Sequence, residues 1–163
     1  GIQGFKGLWV MAADQLSTDV KVTKSRNYLD QRAAATFVLY PQPFGIQAEY
    51  TVGKGPEFNK ETDSIEVRDL SGGYVTFTYL MKYKKQIIIP FCRLQTYNGG
   101  KKFELDARSY DVKEAELGIE WQPIRNFELT CMYTISERRF EDMKSQNNLQ
   151  KGQLLRLQAQ LNF

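Results

Sequence analysis

The chain has 163 residues, 42% of them hydrophobic, and 22 basic against 19 acidic residues leave a net charge of +3. That length suits one domain with its own core, and charges this balanced and mixed exclude a nucleic-acid footprint. A mean hydropathy of -0.48, with no apolar run near the ~20 residues a spanning helix needs, excludes a helical membrane protein. It does not exclude a membrane β-barrel, whose strands are apolar only at alternate positions.

The first predicted strand is FKGLWVMAA (5–13). LWVMAA behind Lys6 faintly resembles the core of an export signal, but it is short and Asp14 follows at once, so any such signal is expected to have been removed or to lie upstream. RAAATFVLY (32–40) is a second strand whose apolar face is ambiguous. Clear alternation begins with FGIQAEYTV (44–52), where Phe44, Ile46, Ala48, Tyr50 and Val52 oppose Gln47, Glu49 and Thr51. GYVTFTYLMKY (73–83) sets Val75, Phe77, Tyr79, Met81 and Tyr83 against Thr76, Thr78 and Lys82. In IIIPFCRLQTY (87–97), Ile88, Cys92 and Leu94 are apolar if Arg93 and Gln95 are polar-facing, and Pro90 predicts a bulge or a sheet edge. EAELGIEWQ (114–122) puts Glu114, Glu116 and Glu120 on one face, and FELTCMYTISE (127–137) does the same with Glu128 and Thr130. LLRLQAQLNF (154–163) closes the series, with Leu155, Leu157, Ala159, Leu161 and Phe163 opposite Arg156, Gln158 and Gln160.

Eight strands of about 9–13 residues exceed the globular mode of about 5–6 and match the ~9–11 that cross a bilayer at a tilt. Tight turns at 40–44, 83–86 and 122–126 alternate with polar connections at 14–30, 53–72, 98–111 and 138–152. An up-and-down meander puts all the short turns at one end and all the long loops at the other, as in outer-membrane barrels. Tyr40, Phe44, Tyr83, Trp121, Phe127 and Phe163 cluster at the short-turn end, as an interfacial girdle would.

The absence of His removes the commonest general base and metal ligand, and no nucleophile elbow or phosphate loop is present. Neither catalysis, nor a cofactor, nor a metal is expected. Cys92 and Cys131 lack metal or redox spacing and are expected to be single residues. The polar faces give the candidate pore-lining set: Glu49, Arg93, Gln95, Glu114, Glu116, Glu120, Glu128, Arg156 and Gln158. Such a lining either encloses water or forms a salt-bridged plug. Its acidic excess favours cations.

YPQPFGIQAEYTVGKGPEF (40–58), GGYV (72–75), IPFCRLQTYNGGKKFE (89–104), ELGIEWQPIRNFELTCMYTISERRF (116–140) and the terminal LLRLQAQLNF resemble the C-terminal half of the phosphate-selective porin O/P family, over about residues 30–163. The resemblance implies a sixteen-stranded, trimeric, passive outer-membrane channel with no catalytic residue or cofactor. It also implies that Phe163 is a signal for the barrel-assembly machinery. The expected fold is therefore an all-β, antiparallel up-and-down transmembrane barrel. Residues 1–163 form either a single domain or the C-terminal half of a larger barrel.

The expected function is passive diffusion of small hydrophilic solutes or ions across the outer membrane of a Gram-negative bacterium, with membrane lipid as partner and loops 53–72 and 98–111 at the mouth. Two alternatives are a non-conducting eight-stranded membrane barrel with a structural or adhesive role, and a soluble β-barrel binding an apolar ligand. The resemblance does not carry phosphate selectivity with it, because Arg93 and Arg156 are the only good arginine candidates on the polar faces.

Overall fold

The computed structural model describes residues 1–17, 20–140 and 148–162. The elements are β1 (Ile2–Val10), β2 (Asn27–Leu39), β3 (Phe44–Asn59), β4 (Ser64–Tyr79), β5 (Met81–Tyr83), β6 (Gln86–Gly100), β7 (Ser109–Ile124), β8 (Phe127–Phe140) and β9 (Leu149–Leu161). They form one antiparallel meander in the order β1-β2-β3-β4-β6-β7-β8-β9, with the short β5 pairing β6. Among the described residues, β1 and β9 are each paired on one side only, so the sheet is open.

The split of the expected fourth strand into β4 and β5 has a local cause. The β4–β6 ladder ends at Thr78 opposite Phe91, and the β5–β6 ladder resumes at Met81 opposite Ile88. Pro90 falls in that gap. It has no N–H to give the ladder, and the Leu80 N–H donates to the Pro43 carbonyl at 2.7 Å. Pro90 thus marks an interruption within a central strand rather than the edge of the sheet.

The register settles the faces. Residues directly opposite one another share a face. One face carries positions 33–39, 44–52, 71–79, 88–98, 115–121, 127–135 and 153–161 at every second residue, and none of these is charged. It is nonetheless open to the surroundings: Phe44 is 68% exposed, Leu117 64% and Leu157 69%. A water-soluble protein does not leave a continuous apolar belt uncovered. The first charges on this face are Lys6, Lys54, Asp69, Lys113, Glu137 and Lys151, where Lys54 stands ten residues along β3 from Phe44. At a strand tilt near 45°, ten residues cover about 25 Å, the height of a barrel's lipid-facing band.

Two expectations are corrected. The connection expected over 53–72 is largely strand: β3 runs to Asn59, β4 starts at Ser64, and only residues 60–63 turn. The first strand is Ile2–Val10, not 5–13. Phe163 and residues 141–147 lie outside the described residues, and with them the assembly-signal expectation and the middle of the last expected connection, whose ends 138–140 and 149–152 belong to β8 and β9. Of the expected girdle, Tyr40, Phe44 and Tyr83 are exposed at the short-turn end, and Phe44 meets Tyr79 edge to face at 4.8 Å.

Gly118 sits opposite Phe91 across the β6–β7 ladder. A Cβ there would stand 2.2 Å from the Phe91 ring, so the glycine provides the floor on which the ring lies. Gly118→Ala is expected to cost about 1–3 kcal/mol by overpacking. The check is the urea midpoint, and Phe91→Leu in the same background should recover most of the loss.

Candidate functional site: the concave polar wall and its loop cap

The second face is concave. Lys102, in the β6–β7 loop, reaches Asp30 on β2 across the intervening β3 and β4, and their side chains are 13% and 4% exposed. By register this face carries all nine expected lining residues. Glu49 lies in a row with Tyr74, Gln95, Glu114 and Ser136; Arg93 lies in the next row with Thr76, Glu116 and Thr134. Glu120 opposes Thr130, Glu128 opposes Gln160, Gln158 opposes Thr130, and Arg156 opposes Met132.

Around the nine expected residues the wall is hydrogen-bonded rather than ion-paired. Ser136 donates to Glu114 at 2.9 Å, Thr134 to Glu116 at 3.3 Å, Gln122 to Glu120 at 2.6 Å, and Gln47 to the Tyr74 hydroxyl at 3.2 Å. The Arg93 guanidinium lies 4.3 Å from the Tyr74 ring centroid and donates to Gln95 at 2.8 Å. Among the described residues, none of the seven charged members of the set makes an ion pair. A dry plug would require such pairs to offset desolvation; hydroxyl and amide partners suit charges that water also reaches.

Sequence reasoning missed three features. Arg32 lies on this face, opposite Phe5 and Gly53, and pairs with Asp30 at 3.1 Å. With Glu49, Thr51, Tyr74, Arg93 and Tyr97 it lines a recess of about 290 Å³. Ile87, Ile89 and Phe91 also face inward, alternating with the outward Ile88 and Pro90. A continuous run of isoleucines has no contrast from which to read a face.

The third missed feature is the cap. The loop after β6 folds onto the wall at the long-loop end. Lys102 stands 4.4 Å from the Trp9 ring centroid and 5.2 Å from that of Phe103, and Trp9 meets Phe103 edge to face at 5.0 Å. Asp106 accepts from the Ser17 N–H at 2.7 Å, and a small core of Met11, Tyr28, Ile65 and Ala107 forms beneath. Glu104 takes the Tyr110 hydroxyl and lies 3.5 Å from both Lys101 and Arg138.

Burial raises the Tyr110 phenol above its ordinary value, and the Glu104 hydrogen bond acts in the same direction. Tyr110 lies beyond the first outward charge on its strand, Lys113, and so outside the apolar band. A raised folded-state value means that the neutral phenol stabilises the fold. That contribution is complete below the unfolded value near 10 and is lost as pH rises through the folded one. Proteolysis of loop 101–108 is therefore expected to accelerate above about pH 10 in the parent protein, and to lose that pH step in Tyr110→Phe.

An open antiparallel wall with an uncharged apolar outer belt and a charged concave face defines a membrane β-barrel of porin type. The chain belongs to the phosphate-selective porin O and P family, whose model matches residues 11–163. Neither the curated proteins nor the solved structures give a significant match.

Proposed function

We propose that the chain forms wall of an outer-membrane porin, through which small hydrophilic solutes and ions diffuse passively. The observation that carries this reading is the pairing of two faces on one sheet: an uncharged belt open to its surroundings, and a concave face whose β7 carboxylates meet hydroxyl and amide groups of β7 and β8 rather than cations. Glu49, Arg93, Gln95, Glu114, Glu116, Glu120, Glu128, Arg156 and Gln158 line the lumen on this reading, with the acidic side chains of β7 and β8 favouring cations. The unpaired flanks of β1 and β9 fit continuation into a larger barrel, sixteen strands in the family, better than an eight-stranded one. The assembled porin would be trimeric, delivered to the membrane by the barrel-assembly machinery with Phe163 as its signal.

Single-channel recording of the purified full-length protein in planar bilayers tests the reading. Discrete conductance steps are expected, and a protein that inserts without conducting would overturn it. The cap gives a finer test. Lys102→Ala removes the clamp to Asp30 and Trp9, so it is expected to raise unit conductance and expose loop 101–108 to protease. If Lys102→Ala exposes the loop and leaves conductance unchanged, the loop does not narrow the pore.

A further inference from the structure

The apolar belt is not smooth. On its outward side β2, β3, β4 and β6 share a groove of about 470 Å³ lined by Ala35, Phe37, Ala48, Tyr50, Gly73 and Leu94. The register explains the depression. Ala35, Tyr50 and Gly73 form one row, and Phe37, Ala48, Val75 and Leu94 form the next. Small and large residues alternate across the two rows, so Ala35, Ala48 and Gly73 leave a depression between Phe37, Tyr50 and Leu94. Gly73 cannot be enlarged without a shift, because a Cβ would stand 2.3 Å from the Glu49 carbonyl oxygen and 2.8 Å from the Tyr50 ring.

Two basic side chains stand above this groove on the same face. Lys54 is four residues along β3 from Tyr50, about 13 Å at strand rise. Lys6 shares its row, with Gln31 between them, which puts the two lysines two strands apart, roughly 10 Å. Lys6 has no ion-pair partner among the described residues; Lys54 has Asp69 at 3.5 Å, a pair open to solvent on both sides and so weak. The row therefore carries net positive charge at the edge of the apolar belt, separated from the groove by the row of Ala33, Val52 and Ser71.

We propose that this surface is a binding site for one membrane lipid with a net-negative phosphate headgroup, an acyl chain lying in the groove and the phosphate held at Lys6 and Lys54. The assignment rests on reading the outward face as lipid-facing. The occupant follows from charge and position together. A partner protein's apolar segment would fill the groove but leave the lysines unanswered, and a free anion would meet the lysines but leave the groove empty.

The test uses the full-length protein in detergent, with native mass spectrometry of retained lipid. The probes are phosphatidylglycerol and phosphatidylcholine with identical acyl chains, and glycerol phosphate as a free headgroup. Phosphatidylglycerol should be retained about fivefold or more over phosphatidylcholine, the factor expected for a basic side chain at an anionic headgroup. Lys6→Gln with Lys54→Gln should abolish that preference, Ala35→Leu with Ala48→Leu should reduce retention of both lipids, and glycerol phosphate should not compete. Equal retention of the two lipids, a preference that survives loss of both lysines, or full competition by glycerol phosphate would each overturn the site. Conductance measured on the same preparation separates the two readings, since a conducting protein without lipid preference rejects the site and leaves the porin.

Discussion

Leu157→Arg is expected to destabilise the folded protein in a bilayer by about 2–4 kcal/mol, the cost of a basic side chain near the midplane of a barrel's lipid face. Leu157 is 69% exposed, opposite Cys131 on the outward side, and central in the uncharged outward run of β9. Exposure of that degree makes the same substitution nearly neutral on a soluble protein's surface, within about 0.5 kcal/mol. The neighbouring Gln158→Arg turns to the concave face and is expected to stay within that margin. Urea titration of the protein folded into lipid vesicles gives both numbers. Equal costs would remove the lipid-facing assignment. A cost at 158 and none at 157 would mean that β9 is paired one residue out of register, which exchanges every side chain between faces.

The second large effect concerns ions. Glu116 and Glu120 lie on the concave side of β7, each held by a neutral neighbour, Thr134 and Gln122. Replacing both with lysine is expected to move the reversal potential in a salt gradient towards that of an anion-preferring pore. A charge about 4 Å from a passing ion in high dielectric is worth about 1 kcal/mol, roughly a fivefold change in local concentration. The shift should be largest near 10 mM salt and shrink as the Debye length falls from about 30 Å to about 3 Å at 1 M. Glu116→Gln with Glu120→Gln should fall between. A reversal potential indifferent to all four substitutions would take these carboxylates off the permeation path.

How far the fold was legible varied with height along the barrel. Inside the apolar belt the two faces meet different media, so Phe44 to Val52 and Phe127 to Ile135 alternate sharply and the strands could be read residue by residue. Beyond the belt both faces of β3 and β4 carry charge. Lys54 pairs outward with Asp69, while Arg68 approaches Glu57 and Glu66 inward at 3.7 and 3.8 Å. With charge on both faces and Gly53, Gly55 and Pro56 as turn signals in the run, residues 53–72 read as a loop from sequence. The face of β2 was ambiguous for the converse reason: Ala34, Thr36 and Val38 on the inward side are hardly more polar than Ala33, Ala35 and Phe37 on the outward side.

The candidate wall was legible for the same reason as the belt, since Glu114, Glu116 and Glu120 share one parity in a strand. The cap was not. Lys102 meets Asp30, 72 residues away, only because the sheet curves and the loop turns inward through Asp106 and Ala107, both at positive φ. Periodicity carries no information about such a meeting.

The reach of β3 and β4 past the apolar belt bears on how solutes arrive. Lys54 marks the belt's upper edge, and five more residues of β3 stand above it, with β4 beside them from Ser64 to Arg68. The rim on this flank is a parapet about 15 Å tall along the strand. If the chain is pore wall as proposed, a solute drifting along the membrane surface meets that parapet on one flank. One of its surfaces carries Arg68 beside Glu57 and Glu66, and on the other Pro56, Phe58 and Ile65 are buried, so packing and charge together hold the backbone ladder where no lipid supports it. On the proposed porin reading, the height of this one hairpin biases the direction from which a solute arrives before any charge on the concave wall is felt.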